Sequence, residues 1–215
     1  MDVACCDLDV SVAEGRAPLS PGYAQGHEGI AEVVETGAGV TGVRPGDRVI
    51  VPFQVSCGQC RECPACAVAL GAHVDYVDTD AIRLAAAERL GAAARDRDLP
   101  DRSWAPYPVT VSTSARPEAL VATLRATWPG GVCTCTSIFF GDRALPLPLW
   151  WMYTSGVRFV TGRVNARADI PAVLDVLAAG TDLAPAVESV VEWADAPAAW
   201  AGLRGKTIVT RDPVA

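Results

Sequence analysis

No apolar run in this 215-residue chain approaches the roughly 18–20 residues of a membrane-spanning helix, so a helical span is not expected. Basic charge is also short: 18 Lys and Arg face 25 Asp and Glu, for a formal net charge of −7. That balance argues against nucleic acid or an anionic membrane as the main partner. The opening "MDVACCDLDV" has neither a basic nor an apolar signal region, and the expectation is a cytoplasmic protein. Internal repeats and low-complexity tracts are missing, and histidine is rare, with 2 in the whole chain.

Cysteine, in contrast, is plentiful. Four of the 8 cysteines, Cys57, Cys60, Cys63 and Cys66, sit three apart in "CGQCRECPAC". Thiolates at that spacing on a tight loop can converge on one tetrahedral zinc, and four of them close a structural site. An iron–sulfur cluster uses a related rhythm, but the proline expected after the fourth cysteine here follows Cys63. Metal-free thiols or disulfides are the remaining alternative. Spacing this tight suits a metal in a reducing compartment better than four separate bridges.

Half the residues are hydrophobic and 20% charged, a globular composition with material for one large or two small domains. Residues 1–66 read as β-rich: "GIAEVVETGAGV" and "GDRVIVPF" are short strands, joined by a turn in which Pro45 presets φ and Gly46 permits a positive value. From residue 67 strands and helices alternate. "HVDYVD" reads as a strand, and "DAIRLAAAERLGA" as a helix capped by Asp80 and closed by Gly91. "YPVTVSTS", "GGVCTCTSI" and "VRFVTG" follow as strands, with "RPEALVATLRAT" and "ADIPAVLDVLAAG" as helices. This alternation predicts an α/β fold with a largely parallel sheet. "RALPLPLWW" is a loop or helix lead-in. Cys133 and Cys135 alternate along a strand as core thiols, and His73 is a strand-edge residue without chemical role.

With these segments in place the chain resembles the zinc-containing medium-chain alcohol dehydrogenase family. "GHEGIAEVVETGAGVTGVRPGDRV" is similar to its GHE signature and following strands, and "CGQCRECPAC" to the start of its structural-zinc loop. "ALGAHVDYVDTDAIRLAAAERLGA", "PEALVATLRATWPGGVCTCTSI" and "TGRVNARADIPAVLDVLAAGTDLAP" resemble the later part of its coenzyme domain, in the family's order. The resemblance implies a partial GroES-like catalytic domain over 1–66, a partial Rossmann-like coenzyme domain over 67–185, and a segment, 186–215, returning to the catalytic domain. Relative to the family a block is missing at about residues 66–67. It holds the end of the catalytic domain and the first strand–turn–helix, whose G-x-G-x-x-G amides cradle a pyrophosphate. The expectation is that no such glycine motif occurs anywhere in this chain.

The resemblance also implies site residues. Cys6, His27 and Glu28 fall at catalytic-zinc positions, with Cys5 as rival to Cys6 and with Asp9 at a position beside the metal. Leu8 stands where the family carries a proton-relaying Ser or Thr, and Ser11 where it has a histidine. Asp78 falls at the carboxylate that holds the adenosine ribose and favours NAD over NADP; the alternative is a helix-capping or solvated carboxylate. Arg83 matches a position beside the adenine. Arg167 matches a basic residue that reaches the pyrophosphate, or is an ordinary surface arginine. His27 has an alternative as a turn residue behind Gly26. Implied cofactors are a structural zinc, a catalytic zinc and NAD, and the implied substrate is a small alcohol or aldehyde.

The resemblance therefore points to a zinc-dependent, NAD-linked oxidoreductase. A non-catalytic zinc-bearing or oligomerisation module, or a non-redox enzyme on the same scaffold, stands beside it. It also implies a homodimer joined along "VRFVTG", with Trp150, Trp151 and Tyr153 as packing or subunit contacts. Loss of a central strand predicts that "HVDYVD" and "YPVTVSTS" pair directly, the alternative being that a neighbouring segment or second subunit supplies the missing strand.

Overall fold

The computed structural model describes residues 2–5, 7–16, 28–52, 71–100, 103–104, 106–139, 144–162, 166–202 and 206–212. The chain divides into two compact units: Met1–Gly71 with Asn165–Ala215, and Ala72–Val164.

The first unit opens with β1 (Asp2–Cys5), α1 (Asp7–Ala13), β2 (Glu28–Glu32) and β3 (Arg48–Pro52). The β2–β3 connection is tied by Val33 N to Asp47 O (2.9 Å) and Gly46 N to Val33 O (2.8 Å). The sequence-predicted turn forms there, and Gly46 takes the left-handed φ of 92° that a side chain would oppose. The same connection holds one G-x-G-x-x-G spacing after all, at Gly37, Gly39 and Gly42. The expected absence of the spacing is thus corrected. No helix follows these glycines, however; they are exposed in a link between antiparallel strands, without a helix N-terminus to cradle phosphate.

The second unit begins with β4 (Asp75–Asp78) and α2 (Ala81–Arg89). Asp80 caps α2, its Oδ1 accepting from Ile82 N (2.9 Å) and Arg83 N (3.1 Å). Gly91, at φ 88°, ends the helix and turns the chain into β5 (Ala93–Asp96). β5 runs parallel to β4, with Asp75 opposite Ala93 and Asp78 opposite Asp96.

A second parallel sheet follows. It comprises β6 (Tyr107–Ser112), α3 (Pro117–Arg125), β7 (Thr127–Cys135), α4 (Leu149–Ser155) and β8 (Arg158–Thr161), in strand order β6-β7-β8. Register places Thr110 opposite Cys133 and Ser112 opposite Cys135, with Phe159 beyond Cys133. These side chains share one face, and α3 lays Leu120 and Leu124 on it. Trp151 and Met152 of α4 complete that core, while Trp150 and Tyr153 point outward as an exposed ring pair. β6 and β7 approach closely at Gly131, where an added Cβ would meet Pro108 O at 2.7 Å.

The expected direct pairing of "HVDYVD" with "YPVTVSTS" does not form. β4 takes its ladder from β5 and β6 takes its ladder from β7, so among the described residues they lie in two separate sheets. The Gly91 turn returns the chain beside β4, so β5 gives β4 a partner along one edge, and among the described residues β6 reaches β4 through side chains rather than a backbone ladder. Between the sheets runs a side-chain bond, Tyr107 Oη to Asp75 Oδ2 at 2.6 Å.

Back in the first unit, α5 (Ala166–Ala178) precedes β9 (Ser189–Glu192), α6 (Ala196–Ala201) and β10 (Thr207–Thr210). The five described strands of this unit lie in the order β3-β2-β1-β10-β9. β10 runs antiparallel to β1 and parallel to β9. Among the described residues no helix is long and apolar enough to cross a membrane.

Candidate functional site

The best-defined polar cluster lies at the C-terminal end of β4. Alternation along the strand puts Tyr76 and Asp78 on one face, and their side chains bond at 3.1 Å. Asp78 Oδ1 also accepts from the backbone amides of Thr79 (2.8 Å) and Asp80 (2.9 Å), where the chain bends toward α2. Arg83, in the first turn of α2, donates Nε to Oδ2 (2.8 Å) and Nη2 to Oδ1 (3.1 Å). Five donors thus converge on one carboxylate with about four lone-pair sites.

The electrostatics follow from this crowding. Burial raises the Asp78 carboxyl, but the Arg83 guanidinium and the two amides outweigh it and hold the group at about 2. Burial and the neighbouring Asp78 charge push Tyr76 up to about 12. Arg83 is raised by its bond to Asp78. At neutral pH the cluster therefore holds one carboxylate, one guanidinium and one neutral phenol.

A second carboxylate, Asp75, starts the same strand. The Tyr107 hydroxyl lowers it most, against a smaller opposing effect of burial, and Arg95 Nε bonds to Oδ1 at 2.8 Å. Tyr107 itself is pushed up to about 12 by burial and by Asp75. The guanidinium of Arg95 also lies over the Trp104 ring, 5.9 Å from its centre.

The structure brings Asp78 and Arg83 together as one ion pair. The cap of α2 is Asp80, so Asp78 is neither that cap nor a freely solvated carboxylate. Arg167 lies exposed on α5, in the other unit. Cys6, His27, Cys57, Cys60, Cys63 and Cys66 fall outside the described residues, and Glu28 is described as backbone only, opposite Pro52 and Ala4. Asp9 is buried on α1. Among the described residues no three His, Cys, Asp or Glu side chains form a metal-binding group. Tyr76 and the Tyr107–Asp75 contact escaped the sequence reading. The two-residue spacing of Tyr76 and Asp78 on a strand was the available signal for the first; the second joins residues 32 apart.

Comparison with known proteins shows what this arrangement is similar to. Residues 2–94 match the alcohol dehydrogenase GroES-like domain. The medium chain reductase/dehydrogenase ucsI of Acremonium sp. is 49% identical over 59 residues, covering 27% of this chain and 20% of that protein. Zinc-type alcohol dehydrogenase B of Aspergillus flavus is 42% identical over 60 residues, 28% of this chain and 14% of its own length, so it is about twice as long. The matched stretch thus spans a fifth or less of these relatives. Among solved structures, the alcohol dehydrogenase TADH from Thermus sp. ATN1 superposes with a TM-score of 0.80 at 18% identity, over 98% of this chain and 90% of that one. At that identity the likeness shows the fold. Residues 2–94 thus carry the alcohol dehydrogenase GroES-like domain, and over the matched stretches the chain is similar to medium-chain and zinc-type alcohol dehydrogenases.

Proposed function

We propose that the chain is a shortened, zinc-dependent alcohol dehydrogenase-like oxidoreductase that acts on a small alcohol or aldehyde with NAD. The observation that carries this is Asp78: an ionised carboxylate at the C-terminal end of a parallel strand, where such folds hold a ribose. Cys57, Cys60, Cys63 and Cys66 are the proposed structural zinc ligands, and Cys6, His27 and Glu28 the proposed catalytic set. A catalytic zinc, when bound, supplies Lewis-acid polarisation of the substrate oxygen. Arg83 and Arg167 are assigned to the adenine side and the pyrophosphate. The working compartment proposed is the cytoplasm, and the proposed assembly is a homodimer through the free edge of β8.

A second reading is favoured by one observation: Arg83 already fills the carboxylate that a ribose diol would use. On that reading the chain is a non-catalytic zinc-bearing module. Metal analysis combined with a nicotinamide titration separates the two. Two zincs per chain with NAD binding support the dehydrogenase, and one zinc without NAD binding supports the module. For the assembly, a Val160→Lys change at the β8 edge should convert a dimer to monomer by sedimentation; a native chain that sediments as a monomer overturns the dimer.

A further inference from the structure

A cleft of about 530 Å³ opens beside α3 in the second unit, and no residue of the Asp78–Arg83 cluster lines it. Pro117, Val121 and Arg125 recur every fourth residue along α3 and so share one face of the helix. Leu99 and Pro100 after β5, and Pro146 before α4, line the other sides. The walls are largely apolar, and the volume falls within the roughly 300–1,000 Å³ of small-molecule sites.

Two charged side chains also line the cleft, Glu118 and Arg125, two helical turns apart and so about 10.5 Å along the α3 axis. Glu118 is already held. Arg116 donates Nε to its Oε1 at 2.8 Å and grips Asp98 with its other arm, Nη2 to Oδ2 at 3.0 Å. Arg125 is the opposite case: its Nε is buried, and no described group accepts from it. A charged group closed off from water without an acceptor is among the costlier defects a fold can carry. Its place in the last turn of α3 suits the helix dipole, but the α3 carbonyls do not supply that acceptor.

We infer that this cleft binds a medium-chain monocarboxylate, its carboxylate on Arg125 and its unbranched apolar tail along Val121 toward Pro117. A carboxylate supplies the acceptor that Nε lacks, through a charge-assisted bond. The apolar walls favour a plain hydrocarbon body, since among the described residues Arg125 is the one lining charge left without a partner. Glu118 fixes the orientation by repelling an anion from its own end. Because Arg116 already holds Glu118, Arg125 stays available to the ligand. An extended acid of roughly eight carbons matches the ~10.5 Å between the two ends. The inference is independent of zinc, of NAD and of Asp78.

The test titrates the full chain calorimetrically with octanoate, and with octanamide as its uncharged counterpart. Saturable one-to-one binding of octanoate is expected, with octanamide at least about tenfold weaker because the charge-assisted bond is gone. Butanoate should also lose about tenfold or more, since roughly four buried methylenes are missing. Arg125→Gln should weaken octanoate binding about tenfold or more, and Arg125→Lys, which restores the cation, should recover part of it. Val121→Glu should abolish binding while leaving Arg125 in place, with circular dichroism showing that each variant is folded. Uptake that does not saturate, equal affinity for acid and amide, or binding that ignores Arg125→Gln overturns the inference. Octanoate binding that is lost in Arg83→Ala instead also overturns it, because the anion then sits at the other arginine.

Discussion

Arg83 and Asp78 form a bidentate pair between the first turn of α2 and the end of β4, with bonds of 2.8 and 3.1 Å. The arginine is 44% exposed and the carboxylate 18%, so the charges meet at a half-wet boundary. The pair fastens the helix to the strand it follows. It also makes Asp78 a residue with two prospective partners, its own arginine and a ligand's hydroxyls.

The first prediction concerns acid. Asp78 sits at about 2 in the folded chain against an ordinary 3.8. A folded value below the unfolded one gives stability that is full above about pH 4 and is lost as pH falls through about 2. Arg83→Ala removes the strongest lowering contact, so the acid-unfolding midpoint should move to higher pH. Circular dichroism across an acid titration reads the shift. Superimposable curves for the two proteins would remove the pair from the stability argument.

Dinucleotide affinity should be weak and should favour NAD over NADP, because a 2′-phosphate would meet the Asp78 charge. Asp78→Ala should abolish it in a calorimetric titration. Tight NAD binding that ignores this substitution would assign the nucleotide elsewhere.

About one zinc per chain should resist dialysis, held by Cys57, Cys60, Cys63 and Cys66. Cys60→Ser should release it and lower the melting temperature. Zinc content equal to that of the unaltered chain would end this assignment.

Core and surface should part sharply in the second unit. Leu124 is fully enclosed between α3 and β7, and Leu124→Ala should cost about 2–5 kcal/mol in urea unfolding. Trp150 is 79% exposed, and its replacement by alanine should change stability by less than about 0.5 kcal/mol. Comparable losses at both sites would mean that Trp150 is covered in solution.

Much of the fold was legible because its signals are local. Asp80 and Gly91 bracket α2, Pro117 opens α3, and the Pro45–Gly46 turn formed where the residues ask for it. β5 escaped because "AARD" has neither β-branched residues nor aromatics, and only its place beside β4 makes it a strand. β1 and β10 are similarly defined by each other, across nearly the whole chain. At the site, the position of Asp78 was readable, but its saturation by Arg83 and Tyr76 depends on side-chain directions that a string of residues does not specify. The pairing of β4 with β6 failed as an expectation because it was argued from free edges alone; among the described residues the two strands are joined instead by a side-chain bond between residues 32 apart, which no local signal announces.

The antiparallel register of β1 with β10, Asp2 opposite Thr210 and Cys5 opposite Thr207, has a consequence for synthesis. On the ribosome Ala72–Val164 emerges as one uninterrupted stretch and can begin to collapse while later codons are still being read. β1 must wait for β10, with one of its edges bare. The delay is more kinetic than thermodynamic: joining ends some 200 residues apart costs only about 2 kcal/mol more than closing a loop a tenth as long. During that interval the early strands are the part of the nascent chain most in need of a chaperone.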